Sequence, residues 1–154
     1  MKRLFLFSIC IAVGLVCASC DEKLSSITGP TPDLEPTFAS IQRNIFTTTD
    51  SSGRPACTNC HTTAGGRVPP VGMDLGSASA HAQLLNVPSR NKPGAIRVIP
   101  GDPENSYLIH KLEGITTGPH AIVGERMPRG TGPFLTDGQI RVIKRWIELG
   151  AQDN

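Results

Sequence analysis

Apolar residues recur at helical spacing in two well-separated parts of the chain. In the later part, Thr136 and Gln139 have the spacing of a capping box, and apolar residues follow with a helical period as far as Leu149. Gly150 then occupies the position at which a left-handed residue commonly ends a helix. We therefore expect this part to form the most regular helix of the chain.

The earlier apolar stripe follows Thr37, a residue type that caps helices. Its members are Phe38, Ile41, Ile45 and Phe46. Between the two stripes, Asp102-Pro103 is expected to open a shorter helix that stops at Gly114. A weaker helical pattern covers residues 79–86, and a strand-like alternation is confined to Ala95–Ile99. These patterns predict a mostly helical domain with long loops.

Residues 1–19 have the pattern of a signal peptide. Lys2 and Arg3 precede an apolar run from Leu4 to Val16, which is a charged region followed by a hydrophobic region of secretory length. The run is shorter than the roughly 20 residues that a membrane-spanning helix needs. We therefore interpret these residues as a targeting segment.

The leader ends in Cys17-Ala18-Ser19-Cys20, which resembles the lipobox of bacterial lipoproteins. The resemblance implies that Cys20 is acylated and holds the protein at a membrane without a spanning helix. Plain cleavage near Ala18 is the alternative, because Cys17 stands where the lipobox usually has Leu. Residues 20–37 are rich in Ser, Gly and Pro, which predicts a flexible tether before a domain at residues 38–154.

Composition and charge narrow the function without naming it. Lys plus Arg is 15 and Asp plus Glu is 13, so the chain has no basic field of the kind that binds nucleic acid. Loss of Lys2 and Arg3 with the leader leaves the mature chain formally neutral. The 16 Gly and 13 Pro, with only 5% aromatic residues, predict long loops and a core poor in large side chains.

The chemistry is carried by Cys57-Thr58-Asn59-Cys60-His61. This is the C-x-x-C-H pattern of c-type haem attachment, in which two thiols add to the two vinyl groups of one haem and the histidine becomes an axial ligand. Export fits this interpretation, because haem c is attached outside the cytoplasm. Since Cys10 and Cys17 belong to the leader, only the two cysteines of the motif remain for chemistry in the domain.

Three other sites use the same cysteine spacing. A structural zinc site needs two more ligands, which would have to come from His81, His110 or His120. A thioredoxin-like dithiol would start a helix after a strand, a layout that residues 38–56 do not show. A simple disulfide would leave the adjacent histidine and the long loops without a role.

An iron held by His61 needs a sixth ligand or an open position. We favour Met127, because the following Pro128 lacks a backbone donor and restricts the preceding residue to extended geometry. A lone methionine usually fills a gap in a core, but beside this motif a thioether ligand is the stronger interpretation. The other candidates are Met73, His81, His110 and His120, of which His120 is the best histidine alternative.

With these motifs the chain resembles the small monohaem c-type cytochromes, in particular the cytochrome-c-like domains of exported bacterial lipoproteins. The resemblance covers roughly residues 38–154. Besides the haem motif it rests on Met73-Asp74-Leu75, Ile99–Leu108, Arg126-Met127-Pro128 and Trp146–Ala151. It implies an all-α, cytochrome-c-like fold of about three to four helices wrapped round one covalent haem, with His/Met ligation of the iron by His61 and Met127.

The motif and the resemblance together predict an electron carrier rather than an enzyme. We expect single electrons to pass between membrane or periplasmic redox proteins, with the carrier anchored through Cys20 on the periplasmic side or at the cell surface. In a rival version Met127 leaves the iron open, and the protein is a haem enzyme or a sensor of peroxide or a gas. A zinc-binding structural module is the remaining alternative.

Overall fold

A computed structural model describes residues 29–31, 33–76 and 78–154. The signal peptide and the lipidation site at Cys20 lie outside the described residues and stay predictions. Part of the predicted tether is described, and there Leu34 is 2% exposed and belongs to the core. In the described part, no helix combines the length and apolar character that crossing a membrane requires.

The first helix forms where the earlier apolar stripe predicts it. Helix α1 covers Phe38–Ile41 and continues into a π-helical turn at Gln42–Phe46. Thr37 is the N-cap, as predicted, and its hydroxyl accepts the backbone N–H of Ser40 at 3.2 Å.

Helix α2 covers Tyr107–Glu113 and begins later than predicted. It ends as expected at Gly114, whose φ of 73° is left-handed. Asp102 does not open it, because this residue is held in a turn. Its carboxylate accepts the backbone N–H of Asn105 at 3.1 Å, and its carbonyl accepts the hydroxyl of Ser106 at 2.7 Å. Local hydrogen bonds of this kind compete with a helix.

Helix α3 covers Asp137–Glu148 and confirms the capping box. The Thr136 hydroxyl accepts the backbone N–H of Gln139 at 3.2 Å, and the Gln139 side chain accepts the backbone N–H of Thr136 at 2.9 Å. Gly150 has a φ of 96°, the left-handed conformation that its position predicts.

The middle of the chain differs from expectation. The helix predicted over residues 79–86 is wrong, because the segment forms turns and ends at Asn86 with a φ of 55°. The strand-like stretch Ala95–Ile99 makes isolated bridges only, such as Val98 with Leu85. The backbone N–H of Arg97 donates to the carbonyl of Val87 at 2.8 Å. The two segments, residues 79–86 with the residues that follow them and Ala95–Ile99, thus lie side by side and form an irregular ribbon.

The predicted all-α, cytochrome-c-like fold is wrong. The described residues contain three short α-helices, of 4, 7 and 12 residues, and no strand. This is too little regular structure for such a fold. Between the π-helical turn and α2 the helical pieces are three 3₁₀ turns, Cys57–Asn59, Ala64–Gly66 and Pro70–Gly72. Proline lacks the N–H that a helix interior needs and glycine destabilises it, so the helical periods at either side do not extend into this region.

The core joins side chains of all three helices. The rings of Phe38 and Trp146 lie 5.6 Å apart, and His81 packs edge-on against Phe38 at 4.9 Å. The indole N–H of Trp146 donates to the carbonyl of Gln152 at 2.9 Å. Other buried members are Ile41, Ile45, Phe46, Ile109, Leu112, Ile140, Ile143 and Ile147.

Candidate functional site

The C-x-x-C-H motif forms one tight turn. The backbone carbonyl of Cys57 accepts the N–H groups of Cys60 at 3.2 Å and of His61 at 2.8 Å. Both thiols are free, and Cys57 is half-buried while Cys60 is exposed. One turn therefore presents two unbridged thiols and an imidazole.

The Cys57 thiol is held against the π-helical turn. Its Sγ lies 3.6 Å from the backbone carbonyl of Ile45. Burial raises the pKa of Cys57 to about 11, and the positive charge of Arg54 opposes this only in part. At neutral pH this thiol is therefore protonated. Dithiol redox motifs depend on a cysteine with a lowered pKa, so Cys57 lacks the property that the thioredoxin-like alternative requires.

A buried arginine fixes the chain just before the motif. Arg54 and Asp50 form an ion pair at 3.0 Å, with side chains 0% and 2% exposed. The Nη1 of Arg54 donates to the carbonyls of Ile45 and Pro55 at 3.2 and 3.0 Å. Because the Ile45 carbonyl accepts from both Arg54 and Cys57, this network ties the π-helical turn to the motif.

The imidazole of His61 is buried and keeps one nitrogen without a hydrogen-bond partner. The residue is 9% exposed, and the unpartnered atom is Nδ1. Burial lowers the pKa of His61, and the charges of Arg97 and Lys111 lower it further, against the backbone of Met73, which raises it. The ring is therefore neutral at neutral pH, which is the form of histidine that binds metals.

A carboxylate folds the loop that follows the motif. Asp74 is 4% exposed, and its Oδ2 accepts the backbone N–H of Thr63 at 3.1 Å while its Oδ1 accepts that of Gly76 at 2.8 Å. The backbone N–H of Leu75 donates to the carbonyl of His61 at 2.9 Å. The loop is thereby folded back onto the motif.

Met127 lies in a loop that reaches the same region. Its side chain is partly buried and packs on the core, and its backbone N–H donates to the carbonyl of Lys111 at 2.9 Å. Lys111 is near enough for its charge to act on His61, and Arg129 is near enough to interact with Cys60. Two cations of the Met127 surroundings thus act electrostatically on residues of the C-x-x-C-H motif. Met73, the other methionine candidate, is also partly buried and packs on the core.

The three remaining histidines have other neighbours. The Nε2 of His81 lies 2.7 Å from the carbonyl of Ala151, and the Nε2 of His110 lies 2.7 Å from the carbonyl of Glu104. The ring centroids of His120 and His110 lie 4.5 Å apart, with the ring planes tilted by 58°. These contacts do not involve the C-x-x-C-H motif for His81 or for His110, and His120 contacts the ring of His110.

The donor atoms of the motif, two thiols and an imidazole, are those that haem c attachment uses. Two clefts of about 550 and 380 Å³ lie elsewhere, and neither is lined by Cys57, Cys60, His61 or Met127. Among the described residues, no group of three or more His, Cys, Asp or Glu side chains could hold a metal ion.

Three cations important to this region were missed by sequence reasoning. Arg54, Arg97 and Lys111 all donate to backbone carbonyls, and no residue spacing reveals such bonds. Arg97 did leave a signal, because it is the one charged residue inside the otherwise apolar stretch Ala95–Ile99. A cation in that position points to a buried guanidinium.

Comparison of this chain with protein-family models, with curated proteins and with solved structures found no match.

Proposed function

We propose that this protein is an electron carrier whose redox centre is one covalent haem c. The supporting observation is the turn from Cys57 to His61, which combines two free thiols with a buried imidazole nitrogen that has no hydrogen-bond partner. Two thiols and a neutral histidine are the donor set that haem c attachment uses. The proposal rests on this donor set and does not depend on a cytochrome-c fold.

Each residue of the site has a defined task in this proposal. Cys57 and Cys60 each add S–H across one vinyl group, so that a sulfur–carbon and a carbon–hydrogen bond form and nothing leaves. His61 would supply a neutral imidazole to the iron, and Met127 would supply a thioether. When bound, the haem supplies a one-electron couple, and a thioether ligand gives it a higher reduction potential than a second histidine would.

Met127 is preferred over His120 because of where each residue is held. The Met127 backbone is bonded to Lys111, whose charge acts on His61. The ring of His120 instead lies against His110. We therefore prefer the methionine, which is bonded to a residue whose charge acts on His61, over a histidine whose ring contacts another ring.

The setting of this carrier is part of the proposal. The leader exports the chain, acylation of Cys20 anchors it at a membrane, and the partners are redox proteins on the periplasmic side or at the cell surface. Because the mature chain is formally neutral, docking depends on a local surface near the haem rather than on long-range attraction.

Purification of the full chain from a host that matures c-type haem tests the proposal. We expect the intact mass to include one haem and the reduced protein to show a c-type visible spectrum. The double variant Cys57→Ser/Cys60→Ser should lose both, because the thioether bonds cannot form. A colourless wild-type protein without added porphyrin mass would end this proposal, and a bound zinc ion in its place would support the structural module.

A pair of matched methionine variants tests the sixth ligand. Met127→Leu and Met73→Leu both replace a partly buried methionine that packs on the core. We expect only Met127→Leu to remove the thioether-to-iron absorption band of the oxidised protein and to lower the reduction potential. His120→Asn should leave both unchanged. A wild-type protein that lacks the band would contradict Met127 ligation and would favour either a histidine ligand such as His120 or the open-site enzyme or sensor.

A further inference from the structure

A cleft of about 550 Å³ lies between the loop that follows the haem-type motif and the irregular ribbon. Its volume is in the range of pockets that hold small organic ligands, roughly 300 to 1,000 Å³. Polar and charged side chains form much of its wall. They include Thr63, Asp74, Gln83, Arg90 and Arg97.

Arg97 is a buried guanidinium in this wall. It is 7% exposed, and it donates to the carbonyls of Gln83 at 2.7 Å and Val71 at 2.9 Å. Within the described residues it forms no ion pair, since the salt bridges found there involve other arginines. A buried cation normally has an anionic partner. Two neutral carbonyls leave this requirement unmet.

Arg90 brings a second guanidinium to the same cleft. It is packed against the backbone of Gly72, where an added Cβ would come within 2.6 Å of its Nη1. The charge of Arg90 acts on Arg97, so two positive charges lie at the same cleft. Neither arginine is paired with a carboxylate in the described part of the chain.

The acidic residue in the cleft wall does not cancel these charges. Asp74 lines the cleft, but its two carboxylate oxygens accept hydrogen bonds from Thr63 and from Gly76. Two guanidinium groups thus share the cleft with one carboxylate that already has several donors. The local charge is positive, although the mature chain as a whole is neutral.

We propose that Arg90 and Arg97 together bind a carboxylate group in this cleft. Guanidinium groups match the planar, two-oxygen geometry of a carboxylate, and the second arginine is attracted rather than repelled once an anion lies between them. The carboxylate can belong to a small acid in solution or to the porphyrin itself. The two sources share one chemistry and give different experimental results.

The cleft is coupled to the proposed redox centre through Arg97. The charge of Arg97 acts on His61, so an anion bound to the arginine reduces the positive field at that ligand. Negative charge near a haem iron favours the ferric state, which lowers the reduction potential. This part of the inference rests on the proposed function, whereas carboxylate binding by the two arginines does not.

Succinate is the probe for a free carboxylate. We expect the wild-type full chain to bind succinate at constant ionic strength. Calorimetry measures the affinity, and the arginine side-chain signals in nuclear magnetic resonance show which guanidinium groups are involved. Arg90→Gln and Arg97→Gln should weaken binding by about tenfold or more, because each removes a charge-assisted pair of hydrogen bonds. Arg43→Gln removes the same charge from an exposed position and should not change binding.

A second arm detects a carboxylate that belongs to the porphyrin. In that case the haem-loaded protein ignores succinate, but Arg90→Gln raises the pKa of an acid group seen in the pH dependence of the reduction potential, and Arg43→Gln does not. Arg90 is exposed, so its variant serves if Arg97→Gln fails to fold. Absence of both effects overturns the carboxylate site. If the chain carries no haem, the succinate arm alone decides the site.

Discussion

The frame formed by α1 and α3 and the loops that carry the candidate site are stabilised in different ways. Apolar side chains that are almost fully buried, such as Phe38, Ile143 and Trp146, hold the frame together. In residues 115–134, which contain Met127, no apolar side chain reaches the same degree of burial. There, lysine and arginine side chains hold the loop by donating to backbone carbonyls.

This difference separates what fixes the fold from what shapes the site. Burial of apolar surface contributes about 1.5 to 3 kcal/mol for each large side chain, whereas a hydrogen bond contributes about 0.5 to 1.5 kcal/mol net. Local opening is easiest where few apolar contacts are buried. The frame should therefore set global stability, and the loops should be able to move without unfolding it.

The largest expected effect comes from the frame. Trp146 is 1% exposed, packs 5.6 Å from Phe38 and donates to the carbonyl of Gln152. Trp146→Ala should lower the free energy of unfolding by about 3 to 5 kcal/mol, because it leaves a large cavity. Urea unfolding followed by far-ultraviolet circular dichroism measures this.

A surface variant gives the matching baseline. Val68 is 92% exposed in the loop after the motif, so Val68→Ala should change the free energy of unfolding by less than about 0.5 kcal/mol. Similar losses for Trp146→Ala and Val68→Ala would show that the two regions do not differ as described.

The sequence allowed the frame to be predicted better than its connections. The capping box at Thr136 and the stripe after Thr37 are local patterns, and both appear in the structure. The segment at residues 79–86 has a helical pattern too, but its end is bonded to a distant part of the chain. The backbone N–H of Asn86 donates to the carbonyl of Val98 at 2.9 Å, and Asn86 itself has a φ of 55°. Periodicity indicates which face is apolar and not whether the tertiary structure completes a helix.

The candidate site was predictable only in its chemistry. The C-x-x-C-H pattern identifies the two thiols and the imidazole directly, because these residues lie together in sequence. Its surroundings depend on distant residues, such as Arg97 and Lys111, whose charges act on His61. Contacts of that kind arise from the folded arrangement of loops, and a single sequence has no pattern that specifies them.

The second-largest effect on stability is expected at the ion pair between Asp50 and Arg54, which connects the end of the first helix to the motif. Asp50→Asn should lower the free energy of unfolding by about 3 kcal/mol at neutral pH, because it leaves the buried Arg54 charge without its partner. Burial acts to raise the pKa of Asp50, but hydrogen bonds from Ser52 and the charge of Arg54 outweigh it and hold the pKa below 3.8. Urea unfolding of both proteins measures the difference.

The pH dependence follows from the direction of that shift. A carboxylate with a depressed folded pKa stabilises the protein fully above its unfolded value, near 3.8, and loses this contribution as the pH falls through the lower folded value. The difference in the free energy of unfolding between wild type and Asp50→Asn should therefore be constant above about pH 5. It should shrink towards zero at about pH 3 and below. The pKa of Asp102 is also lowered, by hydrogen bonds from Asn105, but Asp102→Asn should give a smaller difference because it breaks no buried ion pair. A difference that widens on acidification would contradict the role given to Asp50.

At Lys111 we expect the smallest effect on the free energy of unfolding and the largest effect on local opening of the loop. Its Nζ donates to the carbonyls of Val123, at 3.1 Å, and Glu125, and so holds the chain just before Met127. Lys111→Met keeps the aliphatic length and removes these bonds, so the free energy of unfolding should fall by less than about 1 kcal/mol while backbone amides of residues 122–127 exchange faster with solvent. Lys92→Met is the matched control, because Lys92 donates to Pro119 and Ala121 earlier in the loop and should speed exchange there without affecting Met127. If Lys111→Met instead destabilises the whole protein as strongly as Trp146→Ala, the loop and the frame unfold as one unit. A loop that moves on a fixed frame would then be the wrong description.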